Sequence, residues 1–540
     1  MVLERDTYKE LEDIVGADNI SEEPAILDAY AFQWGAASLT GKLFAHRYEA
    51  IVLPGSTEEV QAIVKACNMR KIKFKALSTG WGYFNSPGSE GGIQIDLRRM
   101  NKILEINEKA MYAVVEPYVI SAQLQAELMK RGLTCNIIGA GANTSALPLT
   151  ALMGCGPTSV STSYGNRNIL AVEWVLPNGE ILRLGSLGSG AGWFCGDGPG
   201  PSLRGIMRGY KTPLGGLGVF TKAATKIYHW PGPEFVAIEG ASPNYTAKLP
   251  ETFATHYIIF PSWDKLTEAG YKIGESEIAL AFVKLSPWMI AQNLAEDTRA
   301  GVQLFSVIRS LTLPKGPSVL VIIGAQSQRE FDYKGKVLRR ITSETGGEFL
   351  SLIEEDLTIQ RRLIWHIVRG TASAREIFRP MVLNTAAFGA CDSWEFAIHE
   401  AVEGAELKEK YIDAGLIVDD GADNGWGVMY EHGHMGHMDQ IVLGDPTNPT
   451  AGKGLRGFVD ESWQICLEKA CGWPQTVMGD KANDLFGPRT SNYHVWARKI
   501  KKAFDPNGVS ESTHYITAQE FPEGPAGQEE RPDERPPGTG

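Results

Sequence analysis

The sequence predicts an α+β protein of two domains, one interrupted by the other. Three observations carry that prediction. The chain has 540 residues, more than a single hydrophobic core usually serves. Its first part, up to about Pro231, alternates short apolar strands with a capped helix in β-α-β order. Beyond that point glycines thin out, helical patterns lengthen, and two strongly apolar strands each stand near an amphipathic helix.

Taken in order, residues 5 to 33 read as two short helices, the second with an N-cap at Ser21 ahead of acidic residues. EAIVLPGSTEEVQAIVKACNMRKIKFKALS then gives a strand over Ala50 to Leu53 and a Pro-Gly turn. A helix opened by Ser56-Thr57-Glu58-Glu59 and a strand over Phe74 to Leu77 follow. Further strand signals lie at GIQIDL (92–97), YAVVEP (112–117), AVEWVLPNGEILRL (171–184) and GVFTKAATKIY (218–228). The Pro-Asn-Gly at 177–179 makes the third a hairpin. The second unit's strands are HYIIFP (256–261) and SVLVIIGAQ (318–326). DPTNPTAGKG breaks the chain before a helix over 459–473, and HVWARKIKKAFDPNG (494–508) is a basic amphipathic helix ended by Asp-Pro-Asn-Gly. The last two dozen residues are rich in Pro, Glu and Gly and are expected to be disordered.

Composition excludes several classes. Hydrophobic content of 43%, charged content of 21% and 13 tryptophans describe a globular protein. A net charge of −12 opposes binding to nucleic acid or to an anionic membrane, both of which need a basic face. The seven cysteines (67, 135, 155, 195, 391, 466, 471) form no CxxC pair, which argues against a disulfide framework, a zinc ribbon or an iron–sulfur cluster and for a reducing compartment. The N-terminus is charged from its fourth residue and no apolar run nears the roughly 18 residues of a membrane span. A cytoplasmic protein is expected.

The 59 glycines concentrate attention on two loops, LSTGWGYFNSPGSEGG (77–92) and GANTSALPLTALMGCGPTSVSTSYG (141–165). Such loops let successive backbone N–H groups point at one phosphate, so a dinucleotide is the ligand they suit; the blander reading is that they are turns. GKGLRG (452–457) fits a dinucleotide fingerprint formally but follows DPTNPTA rather than a strand, and GAGANT (139–144) lacks its third glycine. A third stretch, YEHGHMGHMD (430–439), gathers three histidines. If 426–443 is one strand, period-two alternation puts His432 and His434 on one face and His437 on the other, unless Gly433 or Gly436 bends the chain. Neutral imidazoles there could ligate a metal, act as a base, or simply line a polar strand.

The ordered series EAIVLPGSTEEVQAIVKACN, STGWG, GGIQIDLRRMNKILEIN, YAVVEPYVISAQLQAELMKRG, SYGNRNILAVEWVLPNGEILRLG, GGLGVFTKAATKIY and FDPNG resembles the vanillyl alcohol oxidase/p-cresol methylhydroxylase (PCMH-type) family of FAD-linked oxidoreductases. The resemblance covers residues 45 to 230 and recurs at 495 to 508. It implies a two-part PCMH-type FAD-binding domain with an inserted α+β cap domain over the substrate: a helical segment at 1–44, the FAD-binding domain at 45–232, the cap at 233–455, a C-terminal return to the FAD domain at 456–516, and a tail at 517–540. It also implies FAD as cofactor, with Thr79, Gly80, Trp81, Gly82 and Tyr83 at the pyrophosphate. Gly154, Gly156, Tyr164 and Gly165 would line a second flavin-facing loop, and Gly218 with Val219 would touch the cofactor by backbone.

The implied reaction is oxidation of an alcohol or 2-hydroxy acid, aromatic ones included, by hydride transfer to flavin N5, with electrons passed to an external acceptor, an electron-acceptor protein being one candidate. His434 and His432 would be catalytic and Tyr493 would reach the flavin edge. WFCGDGPGPSLRGIMRG is similar to the vanillyl alcohol oxidase and cresol dehydrogenase branch, and HGHMG to the hydroxy-acid branch, where a divalent metal would sit on His432, His434 or His437. That metal set does not transfer whole: Ile441 stands where the branch has a further histidine, and MGDKANDLFGP where it has Glu-His-Gly. Arg361, Arg362 and Arg379 are candidates to clamp a substrate carboxylate, and Cys155 reads as a small core residue. Two other classes stay open, a non-redox transferase of the alkyl-dihydroxyacetone-phosphate synthase type and a flavin-free binding subunit. A homo-oligomer is expected.

Overall fold

Val60, Ile63, Val64 and Cys67 recur at helical spacing, and they form the buried stripe of a helix over Thr57–Arg70. Ser56 caps it by accepting from the Glu59 amide (3.2 Å), and Lys71 ends it in the left-handed conformation at φ 56°. The computed structural model describes residues 3–32, 44–80, 87–88, 91–139, 141–152, 154–185, 192–193, 202–210, 212–241, 244–370, 383–445, 447–474 and 478–519. The helix packs on a four-stranded sheet ordered Ile20–Ser21, Ala50–Val52, Ile93–Asp96, Phe74–Leu77, in which the last three strands run parallel. Ser21 is not the expected helix cap. It pairs with Ile51 in the sheet, and the helix Pro24–Ala31 begins after Glu23 on a proline whose fixed φ suits the first turn.

A second, antiparallel sheet joins Ile103–Asn107, Tyr112–Val115, Val219–Lys226, Ile169–Val175 and Ile181–Leu184 in that order. Its last hairpin turns at Gly179, φ 83°, where the Pro-Asn-Gly signal placed it. The third sheet has seven antiparallel strands ordered Glu348–Phe349, Phe253–Ile259, Ser318–Gly324, Ala281–Leu285, Trp426–Tyr430, Met435–Gly444, Leu383–Asp392. Alternate residues of its strands face opposite sides. Ile258, Phe282, Val321, Met429 and Met438 pack with Trp394 and Leu338 of the helices Trp394–Asp413 and Gln328–Glu344. Tyr257, Val283, Ile322, Trp426 and Val428 pack on the other face, together with Ile138, Cys155 and Tyr164 from the first part of the chain. The inner face of the large sheet therefore lies on the loop that ends at Gly165. GKGLRG falls inside the helix Ala451–Glu468, which removes it as a phosphate loop. Among the described residues no helix is long and apolar enough to cross a membrane.

After the helix Tyr493–Phe504 the chain returns beside the first parallel sheet. The Phe74 amide donates to Val509 O (2.8 Å) and the Glu511 amide to Phe74 O (2.9 Å), so 509–511 adds an edge to that strand. Buried charge fixes the return: Lys75 Nζ meets Glu511 Oε2 at 2.8 Å with side chains only 1% and 5% exposed. Lys501 Nζ donates to Gly216 O (2.7 Å), to Ser510 O (2.9 Å) and to the Asp505 carboxylate. Burial alone would raise the carboxyl of Glu511, but Lys75 and Thr513 outweigh it and hold it below the usual carboxylate value. His514 stands with Nδ1 3.0 Å from Lys75 Nζ, and burial followed by that ammonium pushes the imidazole down to about 3.

Two outcomes are expected. Glu511→Ala leaves Lys75 buried without its anion and should cost roughly 3–5 kcal/mol of stability; a urea midpoint within about 0.5 kcal/mol of the parent would refute the role given to the pair. Between pH about 6.5 and 3 an unfolded His514 binds a proton that the folded one refuses, so stability is full above about 6.5 and declines as pH falls. The depressed Glu511 acts in the same sense at lower pH, its stabilisation being lost as pH falls through its folded value. Thermal midpoints read from neutral pH to about pH 5 should decline less steeply in His514→Gln than in the parent.

Candidate active site between the glycine loop and the large sheet

The loop closing at Gly165 is tight because two glycines meet in it. Gly154 has φ 53°, and a Cβ on it would lie 2.6 Å from Gly165 Cα; one on Gly165 would lie 2.5 Å from Gly154 Cα. No side chain fits between them. Gly156 is pressed on Ile137 O, 2.3 Å from where its Cβ would be, and its amide donates to Ser159 Oγ (3.0 Å). Asn136 Nδ2 gathers Ser159 Oγ (2.8 Å), Thr162 Oγ1 (3.0 Å) and Ser163 O (3.0 Å) into the same knot. Tyr164 is buried with its ring edge-on to Tyr430, 4.9 Å between centroids. Gly154, Gly156, Tyr164 and Gly165, read as one loop, are thus brought together against the large sheet.

The other expected cofactor residues fare differently. Thr79 and Gly80 leave the C-terminal end of the parallel strand Phe74–Leu77, Gly80 at φ 68°. Trp81, Gly82 and Tyr83 lie outside the described residues. The Gly218 amide donates to Ser510 Oγ (2.9 Å), and Val219, paired with Val175, is in the core.

The histidine run corrects the single-strand expectation. Trp426–Tyr430 and Met435–Gly444 are two antiparallel strands closed by Tyr430 opposite Met435, and the turn between them holds Glu431 (φ 46°) and His432 (φ 57°) in left-handed conformation. His434 sits in that turn, exposed. His432 is half-buried, its carbonyl pressed on Gly274 of the helix Trp263–Glu275. His437 alone enters the strand and is fully buried. The proposed trio of His432, His434 and His437 therefore does not assemble, because the turn divides it. Tyr493 is 49% exposed at the start of its helix, and its ring meets Trp473 rather than the glycine loop. Arg362 donates to Leu294 O (2.7 Å), Arg361 is half-buried, and Arg379 lies outside the described residues.

A different group assembles. Residues directly opposite in a sheet share a face, so His437 opposite Val428 and Asp439 opposite Trp426 look toward the inner side, where both partners pack with Cys155. One ligating atom each from Cys155, His437 and Asp439 lie within 4.8 Å of one another, all three residues buried. His437 Nε2 and Asp439 Oδ1 are 3.1 Å apart. The His-x-Asp spacing on a strand is the sequence signal for this pairing, but nothing local to it points to Cys155.

The hairpin is fixed from both sides. At its tip Glu431 accepts from the Ser163 hydroxyl and the Arg167 guanidinium. The neighbouring strand adds Phe282 N to Pro157 O (3.2 Å), with Ser161 Oγ donating to Leu280 O (3.1 Å). On the far face two fully buried lysines hold the segment that leads into the hairpin: Lys284 on Asp423, and Lys408 on Asp420 at 2.6 Å. Burial lowers Lys284 and raises Asp420, each offset in part by its partner. Asn424 then donates to the Asp439 carbonyl (2.9 Å).

Comparison with known proteins agrees with this architecture. Residues 48–185 match the family described as an FAD binding domain. Over 145 residues the chain is 37% identical to 1'-carboxy-chondrochloren decarboxylase of Chondromyces crocatus, covering 26% of each. Over 196 residues it is 32% identical to the 4-cresol dehydrogenase [hydroxylating] flavoprotein subunit of Pseudomonas putida, covering 34% of this chain and 35% of that one. The match thus spans about a quarter to a third of these curated relatives. The crystal structure of p-cresol methylhydroxylase with substrate bound superimposes with a TM-score of 0.75 at 20% identity, over 96% of this chain and 98% of the other. A nucleotide-binding unit roofed by a large antiparallel sheet defines a flavoprotein with a cap. Residues 48–185 are thus an FAD binding domain, FAD is the cofactor, and the chain shares the fold of p-cresol methylhydroxylase. The residues fit that group: Gly80 turns left-handed past the carboxyl end of a parallel strand, where open sheets bind nucleotides.

Arg167 and Glu431 are 40% and 25% exposed, so Glu431→Gln should change global stability by no more than about 1 kcal/mol. It should nevertheless loosen the tip. Backbone amides of residues 426–435 are expected to exchange hydrogen faster in this variant, and unchanged exchange there would remove the docking role.

Proposed function

We propose that the protein is an FAD-dependent oxidoreductase that removes hydride from the carbon of a small alcohol or 2-hydroxy acid, aromatic ones included, and passes the electrons to an external acceptor. The observation that supports this best is the buried His437–Asp439 pair, carried on the inner face of the cap against Cys155 of the flavin-domain loop. FAD, when bound, takes up the electron pair released with the substrate hydrogen. An alcohol is too weak an acid to lose its proton unaided at neutral pH, and the hydroxyl proton is lost at the His437–Asp439 pair. Asp439 acts there by stabilising positive charge at the imidazole 3.1 Å away. Burial of all three side chains keeps bulk water from the pair.

Two features favour redox chemistry over the phosphate-handling transferase. Lys284 and Lys408, the fully buried lysines supporting the cap, are neutralised by Asp423 and Asp420 on its far face, which leaves neither to receive a phosphate. The Pseudomonas relative is by its name a dehydrogenase. The FAD binding domain speaks against a flavin-free subunit.

His437→Asn should retain FAD, read from its visible absorbance, while anaerobic reduction of the flavin by a substrate alcohol or hydroxy acid slows by about 10²–10⁴-fold. A variant that reduces its flavin within about threefold of the parent rate would dismiss the pair from the reaction.

A further inference from the structure

We propose that Cys155, His437 and Asp439 form a binding site for one divalent ion of the zinc class. The three residues reach it from separate places. Cys155 is held between Gly154 and Gly156, both pressed on backbone, and its carbonyl accepts from the Gly139 amide (2.9 Å). His437 and Asp439 stand two apart on one strand and so project from the same face.

The geometry points to ligation more than to hydrogen bonding. His437 Nε2 and Asp439 Oδ1 lie 3.1 Å apart, yet the contact does not meet hydrogen-bond geometry, and Asp439 Oδ1 is buried with no hydrogen-bond partner among the described residues. Bonds of about 2.0–2.3 Å at tetrahedral angles set neighbouring ligand atoms about 3.3–3.6 Å apart. The nitrogen–oxygen pair is already near that spacing, and the sulfur belongs to the same group within 4.8 Å. A carboxylate 5% exposed with an unsatisfied oxygen is costly unless a cation or donor compensates it. One thiolate, one imidazole and one carboxylate select a borderline-soft ion over magnesium or calcium, whose preferred ligands are oxygens alone. Three protein ligands leave a fourth position open, as in zinc sites that receive an oxygen of water or substrate.

The proposal rests on the reading above for the place of the site and changes one part of it: with His437 Nε2 and Asp439 Oδ1 as ligands, the ion at its open position, rather than the pair, would hold the substrate oxygen and make its hydroxyl more acidic. Its test needs neither substrate nor turnover, so either idea can fail alone. The purified holoprotein is equilibrated with zinc, desalted, and its zinc, flavin and protein contents measured. About one zinc per chain is expected, with a sulfur shell at about 2.3 Å in the zinc X-ray absorption spectrum. In Cys155→Ser the sulfur shell should vanish, and in His437→Asn zinc should fall below about a tenth per chain while flavin content stays at the parent level. Less than about a tenth of a zinc per chain in the parent protein, or a sulfur shell that persists in Cys155→Ser, would overturn the proposal; the spectrum of the unaltered protein decides even where a variant folds poorly.

Discussion

The carboxylate of Glu431 joins the two halves of the candidate site. It sits at the tip of the 426–444 hairpin, itself in left-handed conformation with His432 after it, and accepts from Ser163 and Arg167 of the glycine loop. Left-handed conformations in consecutive non-glycine residues persist only where surroundings over-determine them. Here the Ser163 and Arg167 contacts, the Tyr164–Tyr430 ring contact and the packing of His432 on Gly274 do so. Placing the turn at 431–434 sets the register, and register sets the face: a slip of one residue would turn His437 and Asp439 toward Trp394 and bring Met438 inward.

The same logic explains the buried charges behind the sheet. Lys284 and Lys408 are 0% exposed, and ion pairs so deep seldom add much net stability, because desolvation offsets their attraction. Their value here is geometric. Asp420 and Asp423 belong to one short connection, and tying each to a different element, the strand Ala281–Leu285 and the helix Trp394–Asp413, fixes where Trp426 begins. Glycines complete the fit: Gly436 lies under Trp394, Gly404 under Gln440, and Gly427 against Met438, each where a Cβ would clash at 2.6 Å or less. Close approach of helix to sheet on the outer face thus serves a pair of polar side chains on the inner one.

Local signals in the sequence suffice where the partner is local. The Ser56 cap, the parallel strand at 74–77 and the hairpin at Gly179 all follow from residues within a few positions of one another. The errors share a cause. Ser21 carries the side chain of a cap but is claimed by a strand partner thirty residues on, Ile51. The Gly218 amide, too, has a partner that the sequence does not announce, Ser510, 292 positions away. His434 looked central because three histidines crowd one short stretch, but a turn held in place by Ser163 and Arg167 exiles it to the surface. Asp439 was overlooked because its meaning depends on Cys155, which a sequence cannot place beside it.

Local and distant contacts divide the labour in this fold. The glycine loop is knit largely by contacts close in sequence: Gly154 on Gly165, Gly156 on Ile137, Asn136 on three residues of 159–163. The cap supplies the polar groups, and their identity depends on one strand's register. His437 and Asp439 stand on the inner face of that strand, while Met438 between them packs with Trp394 on the outer face. Reactivity then follows from what the inner face offers: here an imidazole, a carboxylate and, from the cradle itself, a thiol. On the proposed reading, a substrate suited to that set is one whose hydroxyl gives up its proton to the imidazole and carboxylate as its carbon gives up a hydride, because the first step needs a base and the second needs a bound FAD.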